Sequence, residues 1–109
     1  MARTPSYTPQ TLTAAAVLGT EIARARRARK MTAHDLAERA GVSRITVRAA
    51  EAGRPTVALG TVFELATLVG VPLFGGDPME MRGLLERSRD RLALLPARVR
   101  TPPVLDDDF

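Results

Sequence analysis

Apolar side chains recur at helical spacing in five stretches of this chain, and each stretch is bracketed by residues that start or stop helices. The first runs from residue 9 to about residue 29. Thr8 stands as its cap, Pro9 occupies the first turn, and Leu18, Ile22 and Ala25 fall on one inner face. Gly19 interrupts it at some cost in helix propensity, which the close approach of another helix would explain. The second stretch opens at Thr32, whose capping box closes on Asp35, and turns Leu36, Ala37 and Ala40 inward before Gly41 ends it. Val42 then packs into the angle. Ser43 caps a third helix over residues 43–52, in which Val47 and Ala50 face inward while Arg44, Ile45, Arg48 and Ala49 face out. Gly53 and Pro55 mark a loop. A fourth helix follows over residues 58–69, with Leu59, Val62, Phe63, Ala66 and Val69 at core spacing and Gly70 as its stop. Asp77 and Pro78 open the last one, which runs to about residue 95 with Met81, Leu84, Leu85, Leu92 and Leu95 as its apolar stripe.

Two short helices meeting at Gly41 make a helix-turn-helix. Over residues 18–73 the chain resembles the Cro/cI-like (Xre) helix-turn-helix family, with small Ala37, turn Gly41, inward Val47 and the Glu51-x-Gly53 exit at the family's positions. The resemblance implies an all-α, five-helix, lambda repressor-like DNA-binding domain, here with an additional C-terminal helix and a disordered tail. It also implies that Val71, Pro72, Leu73 and Phe74 lead into a short closing helix, where apolar side chains often meet a second subunit. Arg44, Ile45, Thr46, Arg48 and Ala49 are the candidates for reading bases in a major groove. Ser43, Arg54, Arg27, Arg29 and Ala33 are the candidates for holding phosphates, with Arg24 beside them in the basic cluster. The family often carries Gln where this chain has Ala33, so the phosphate contact of that side chain is missing or replaced. The aligned Arg and Glu of the family form an ion pair, which makes Arg26 and Glu51 structural rather than DNA-contacting.

Charge sharpens this picture. The 109 residues carry a formal charge of +4, but residues 1–54 hold ten Lys and Arg against four acids, whereas residues 55–109 hold six against eight. The basic half is the half with the helix-turn-helix, as attraction to a polyanion requires. Fifteen of the sixteen cations are Arg, which suits bidentate contacts to phosphate and guanine. With no cysteine there are no disulfides and no thiolate metal sites, and a reducing, cytoplasmic location fits, nucleoid-associated when an operator is bound. No stretch is long enough to act as a membrane span. His34 is the single histidine and has no Cys or second His beside it, so no catalytic residue, metal site or cofactor is expected.

The expected organisation is a flexible arm over residues 1–8 that includes Arg3, a domain over residues 9–95 whose last helix spans 78–95, and a disordered acidic tail over 96–109. Paired half-sites favour a homodimer on a palindromic double-stranded operator, closed either by the segment 71–74 or by the helix 78–95. The run from Gly53 to Phe63, the Leu-Leu-Pro-x-Arg-Val-Arg stretch and the closing Asp-Asp-Asp-Phe resemble HipB-type antitoxins. That resemblance implies a repressor of its own operon that neutralises a HipA-like Ser/Thr kinase toxin, with Leu105, Asp106, Asp107, Asp108 and Phe109 as a partner-binding tail. Two other readings stay open: a stand-alone Xre-family regulator of the phage or restriction-modification control type, and a protein-interaction adaptor with no specific operator.

Overall fold

The computed structural model describes residues 6–100, and the chain forms two compact units, residues 1–75 and residues 76–109. The expectations for Arg3 and for Leu105, Asp106, Asp107, Asp108 and Phe109 fall outside the described residues. The first unit holds α1 (Pro9–Ala28), α2 (Ala33–Ala40), α3 (Arg44–Glu51) and α4 (Leu59–Leu68); the second holds α5 (Pro78–Ala93). Among the described residues every regular element is a helix.

The starts follow from side-chain caps. Thr8, Ser43 and Asp77 each accept from the backbone N–H three residues on, at 3.3, 3.1 and 2.8 Å. Thr32 and Asp35 close a full capping box, each side chain taking the other's backbone N–H at 3.0 Å. Those hydrogen bonds to Thr32, backbone first and hydroxyl second, hold the Asp35 carboxyl below the usual aspartate range.

The stops share one device. After each of the first four helices comes a left-handed residue, Lys30, Gly41, Gly53 and Gly70, and the next N–H reaches back five residues, from Met31 to Arg26, Val42 to Ala37, Arg54 to Ala49 and Val71 to Ala66. This is the Schellman geometry, and glycine meets its positive φ without the clash a Cβ brings. Met31, Val42 and Val71 use the turn to fold onto the core. Arg54 does not.

The core of the first unit is small and aliphatic, with Ile22, Leu36, Val47, Leu65 and Val69 fully buried and Ala25, Ala37, Ala50 and Ala66 filling the gaps. In it α1 packs against α3 and α4, and α2 packs against the same two. The inner face of α4 differs from expectation. Leu65 is buried, whereas Leu59, in the first turn, is 69% exposed and Phe63 is only half-buried. The core lies against the C-terminal turns of α4, so the first turn stands clear of it. The segment 71–74 also differs: it forms no closing helix, because Phe74 and Gly75 are both left-handed, at φ 54° and 75°, and two such residues in succession end a right-handed helix. The turn brings the Phe74 ring edge-on to Phe63, centroids 6.2 Å apart. The helix that begins at Pro78 is therefore the fifth among the described residues. None of its residues is buried, and its Leu85 and Leu92 are exposed.

Gly19 explains how α1 reaches α3. It is buried, and a Cβ there would overlap the carbonyl oxygens of Ala50 and Glu51. Gly53 repeats the contact from the other side, where a Cβ would come within 2.6 Å of Ala16 Cα. Helix propensity alone favours Gly19→Ala by about 1 kcal/mol, but forcing the helices apart opposes it by about 1–3 kcal/mol. The expected outcome is net destabilisation in urea or thermal unfolding, and a higher melting temperature would show that the two backbones do not meet there.

Candidate nucleic-acid interface

The outward face of α3 is set by its inward one. Val47 is fully buried and Ala50 nearly so, which fixes the rotation of the helix about its axis. Arg44, Arg48 and Ile45 then project into solvent, Ile45 with 79% of its surface exposed. Ala49 is half-buried beneath them. A shallow depression is lined by Ile45, Arg48, Ala49, Ala52 and Arg54, so the loop residue stands beside the helix face. Among the described residues none of Arg27, Arg44, Arg48 and Arg54 is salt-bridged. Ala52 is the residue that sequence reasoning missed. Its signal was present in the spacing 45, 48, 49, 52, one continuous helical face.

Three of the remaining candidates are occupied locally. The hydroxyls of Ser43 and Thr46 lie 3.1 Å apart, and Ser43 Oγ also accepts from the Thr46 N–H, so both side chains are engaged in the helix cap. Thr46 is half-buried. Ala33 begins α2 with its methyl packed against the core, leaving only its backbone N–H to offer a phosphate.

Arg26 and Glu51 meet in a fork: Arg26 Nε donates to Glu51 Oε2 at 2.6 Å and Nη2 to Oε1 at 2.9 Å, while Nη1 donates to the Met31 carbonyl at 2.9 Å. The side chains keep only 11% and 10% of their exposure. The hydrogen bonds to Glu51 raise the Arg26 pKa above its ordinary value against the opposing effect of burial, with the charge attraction adding to them. The pair ties α1 to the end of α3 and removes the carboxylate from the surface that a polyanion would approach.

The basic end of α1 divides by function. Arg24 forks Glu21 at 2.7 Å on the open surface; the same hydrogen bonds lower the Glu21 carboxyl and raise the Arg24 guanidinium. Arg29 lies over Gly70 and donates to the Ala25 carbonyl at 3.4 Å. There it supplies a cation at the C-terminal end of α4, which has no basic residue in its own last turn. Arg27 makes no such contact among the described residues. His34 is paired with Glu38 at 2.7 Å on the exposed side of α2. Among the described residues no three His, Asp or Glu side chains converge into a metal-binding group, and no helix is long and apolar enough to cross a membrane.

Two short helices joined at a left-handed glycine, the second with a buried inner face and an exposed basic outer one, define a helix-turn-helix. Residues 22–75 match the family model described as Helix-turn-helix. The chain therefore carries an Xre/Cro-like helix-turn-helix domain over those residues, and its class is that of DNA-binding regulators. Neither the curated proteins nor the solved structures give a match to the chain.

The fork generates a prediction. Glu51→Ala leaves the guanidinium of Arg26 nearly buried with only the Met31 carbonyl, and should destabilise the domain by about 1–3 kcal/mol, below the range for a fully buried pair because some solvent reaches it. DNA binding should fall only in proportion to the unfolded fraction. A variant that melts like the parent yet fails to bind would make Glu51 a contact residue.

Proposed function

We propose that this chain is a sequence-specific transcriptional repressor that acts as a homodimer, placing α3 of each subunit in successive major grooves of a palindromic operator. The observation that carries this reading is the outer face of α3, where two guanidinium groups with no salt bridge among the described residues flank an exposed isoleucine on a helix whose inner face is locked into the core. Arg44 and Arg48 read base edges, together with Ile45 and Ala49; Thr46, expected among them, is engaged with the Ser43 cap and serves the start of the helix. Arg54, Arg27, and the N–H groups at Ser43 and Ala33 hold phosphates. Arg24 and Arg29, which have intramolecular partners, serve mainly the fold.

Removal of a base contact and of a phosphate contact should read differently. Arg44→Ala or Arg48→Ala should weaken operator binding by about 1–3 kcal/mol and leave random duplexes almost unaffected, whereas Arg54→Ala should weaken both and lower the salt slope by about one. Equal losses on operator and random DNA for Arg44 and Arg48 would remove them from the base-reading set.

The dimer is assigned to α5. Its exposed Leu85 and Leu92, seven residues apart, recur on one face. Leu85→Glu combined with Leu92→Glu should give monomers in sedimentation and strongly reduced operator affinity, with the melting of the helix-turn-helix domain unchanged. If Phe74→Glu alone does this and the double variant does not, the contact lies in the 71–74 turn.

The HipB-type resemblance supports a narrower reading, an antitoxin that represses its own operon and neutralises a HipA-like Ser/Thr kinase. Its supports are the Gly53–Phe63 run, the Leu-Leu-Pro-x-Arg-Val-Arg stretch and the acidic end with a single aromatic, which offers a partner both charge and an apolar anchor. Deletion of residues 105–109 should abolish co-purification with the kinase encoded beside it and leave operator binding within about twofold. Full toxin binding by the shortened chain would place the contact elsewhere.

A further inference from the structure

The apolar groups on the outside of α3 are not scattered. Ile45, Ala49 and Ala52 stand at positions i, i+4 and i+7, one strip along the helix, and Arg48 and Arg54 flank that strip around the shallow depression. A single exposed aliphatic side chain on a protein surface needs no explanation. This one lies in the first turn of a helix with two arginines on its outer face, and it keeps 79% of its surface in water. That surface gains by burial against a ligand that is apolar at one point, and the arginines beside it favour one that is anionic around that point. The major groove offers such a point in the C5-methyl group of thymine, with phosphates along both rims.

We propose that Ile45, with Ala49 beneath it, packs against the methyl group of one thymine in each operator half-site, beside a guanine read by Arg48. The inference rests on the reading of α3 as the base-reading helix and adds the identity of a base. Side chains three apart on a helix are separated by about 5–6 Å, and bases along a strand by about 3.4 Å, so the thymine and the guanine lie one or two steps apart. Arg54, at the edge of the depression, meets the phosphate that borders this step. Ile45 also disfavours a cytosine at this position, whose edge presents an amino donor in place of the methyl and would be buried against the side chain without a partner.

The test uses the full chain. Duplexes bound by it are enriched from random-sequence DNA, and each thymine of the enriched sequence is then replaced singly by deoxyuridine, which removes the methyl and keeps the pairing. One thymine per half-site should show an affinity loss of about fourfold, the effect of one buried methyl group. Ile45→Ala should bind the thymine and uracil duplexes alike at that position, while its melting stays that of the parent because Ile45 lies outside the core. Indifference of the parent to uracil at every position overturns the proposal and leaves base reading by α3 standing. A uracil penalty that persists in Ile45→Ala overturns it as well. Failure to enrich any sequence removes the base-reading helix itself, and the thymine contact with it.

Discussion

The fork between Arg26 and Glu51 is the interaction on which the placement of α3 depends. It joins residues 25 apart in sequence, one in the last turn of α1 and one at the end of α3, and it forms only because the two backbones come close enough for their side chains to meet edge to edge. Gly19 and Gly53 permit that approach by lacking a Cβ on either side of the contact. A nearly buried ion pair adds modest net stability, since desolvation offsets much of the attraction. Its larger effect is geometric. The fork fixes two N–H vectors against two carboxylate oxygens, so it sets the position of the C-terminal end of α3 as well as its distance. With Val47 and Ala50 fixing the rotation of the helix and Ser43 fixing its first turn, the outward residues are presented on a rigid support, and little order has to be gained on binding.

Local signals carried most of the fold. Thr8, Thr32, Ser43 and Asp77 cap the helices they were expected to cap, because capping depends on residues three apart and on nothing distant. Gly41 and Gly70 stop helices for an equally local reason. The misplacements arise where a distant part of the chain decides. The apolar stripe expected on α4 includes Leu59 and leaves out Leu65, and only the position of the core against the helix's later turns buries Leu65 and leaves Leu59 exposed. The family resemblance leads Val71 to Phe74 into a closing helix, but the edge contact of Phe74 with Phe63 and the left-handed pair at Phe74 and Gly75 make it a turn. Lys30 carried no stop signal at all. It adopts φ 54° because Met31 is drawn into the core and the helix must end before it.

The candidate site was legible to the same degree and for the same reason. The outer face of α3 follows from its period, and Arg44, Ile45, Arg48 and Ala49 stand where 3.6 residues per turn put them. The basic cluster of α1 did not resolve in sequence, because a run of arginines has the same composition whether its members face solvent or a neighbour. Packing separates them: Arg24 folds onto Glu21, Arg26 onto Glu51 and Arg29 over Gly70, which leaves Arg27 among the described residues without such a partner. A count of positive charge near a helix-turn-helix therefore overstates the charge available to a ligand. Of the nine Lys and Arg between residues 6 and 54, Arg24 and Arg26 are held in ion pairs within the domain.

The four helix stops show how small a change converts a structural device into an interface. Each ends in a left-handed residue, and in each the following N–H returns to a carbonyl five residues back. That geometry throws the following side chain across the end of its own helix, toward the core where it is apolar, as Met31, Val42 and Val71 are. After α3 the same position holds Arg54. The backbone turn is unchanged, but a guanidinium is too costly to desolvate without a partner, so the side chain remains at the surface beside Arg48 and Ile45. The loop thus places a cation next to the outer face of α3 through the same turn that closes the core elsewhere. The position of Arg54 is accordingly a property of the helix stop at Gly53, and because a Cβ at Gly53 would meet the backbone of Ala16, the turn that places the cation is also part of the contact between α1 and α3.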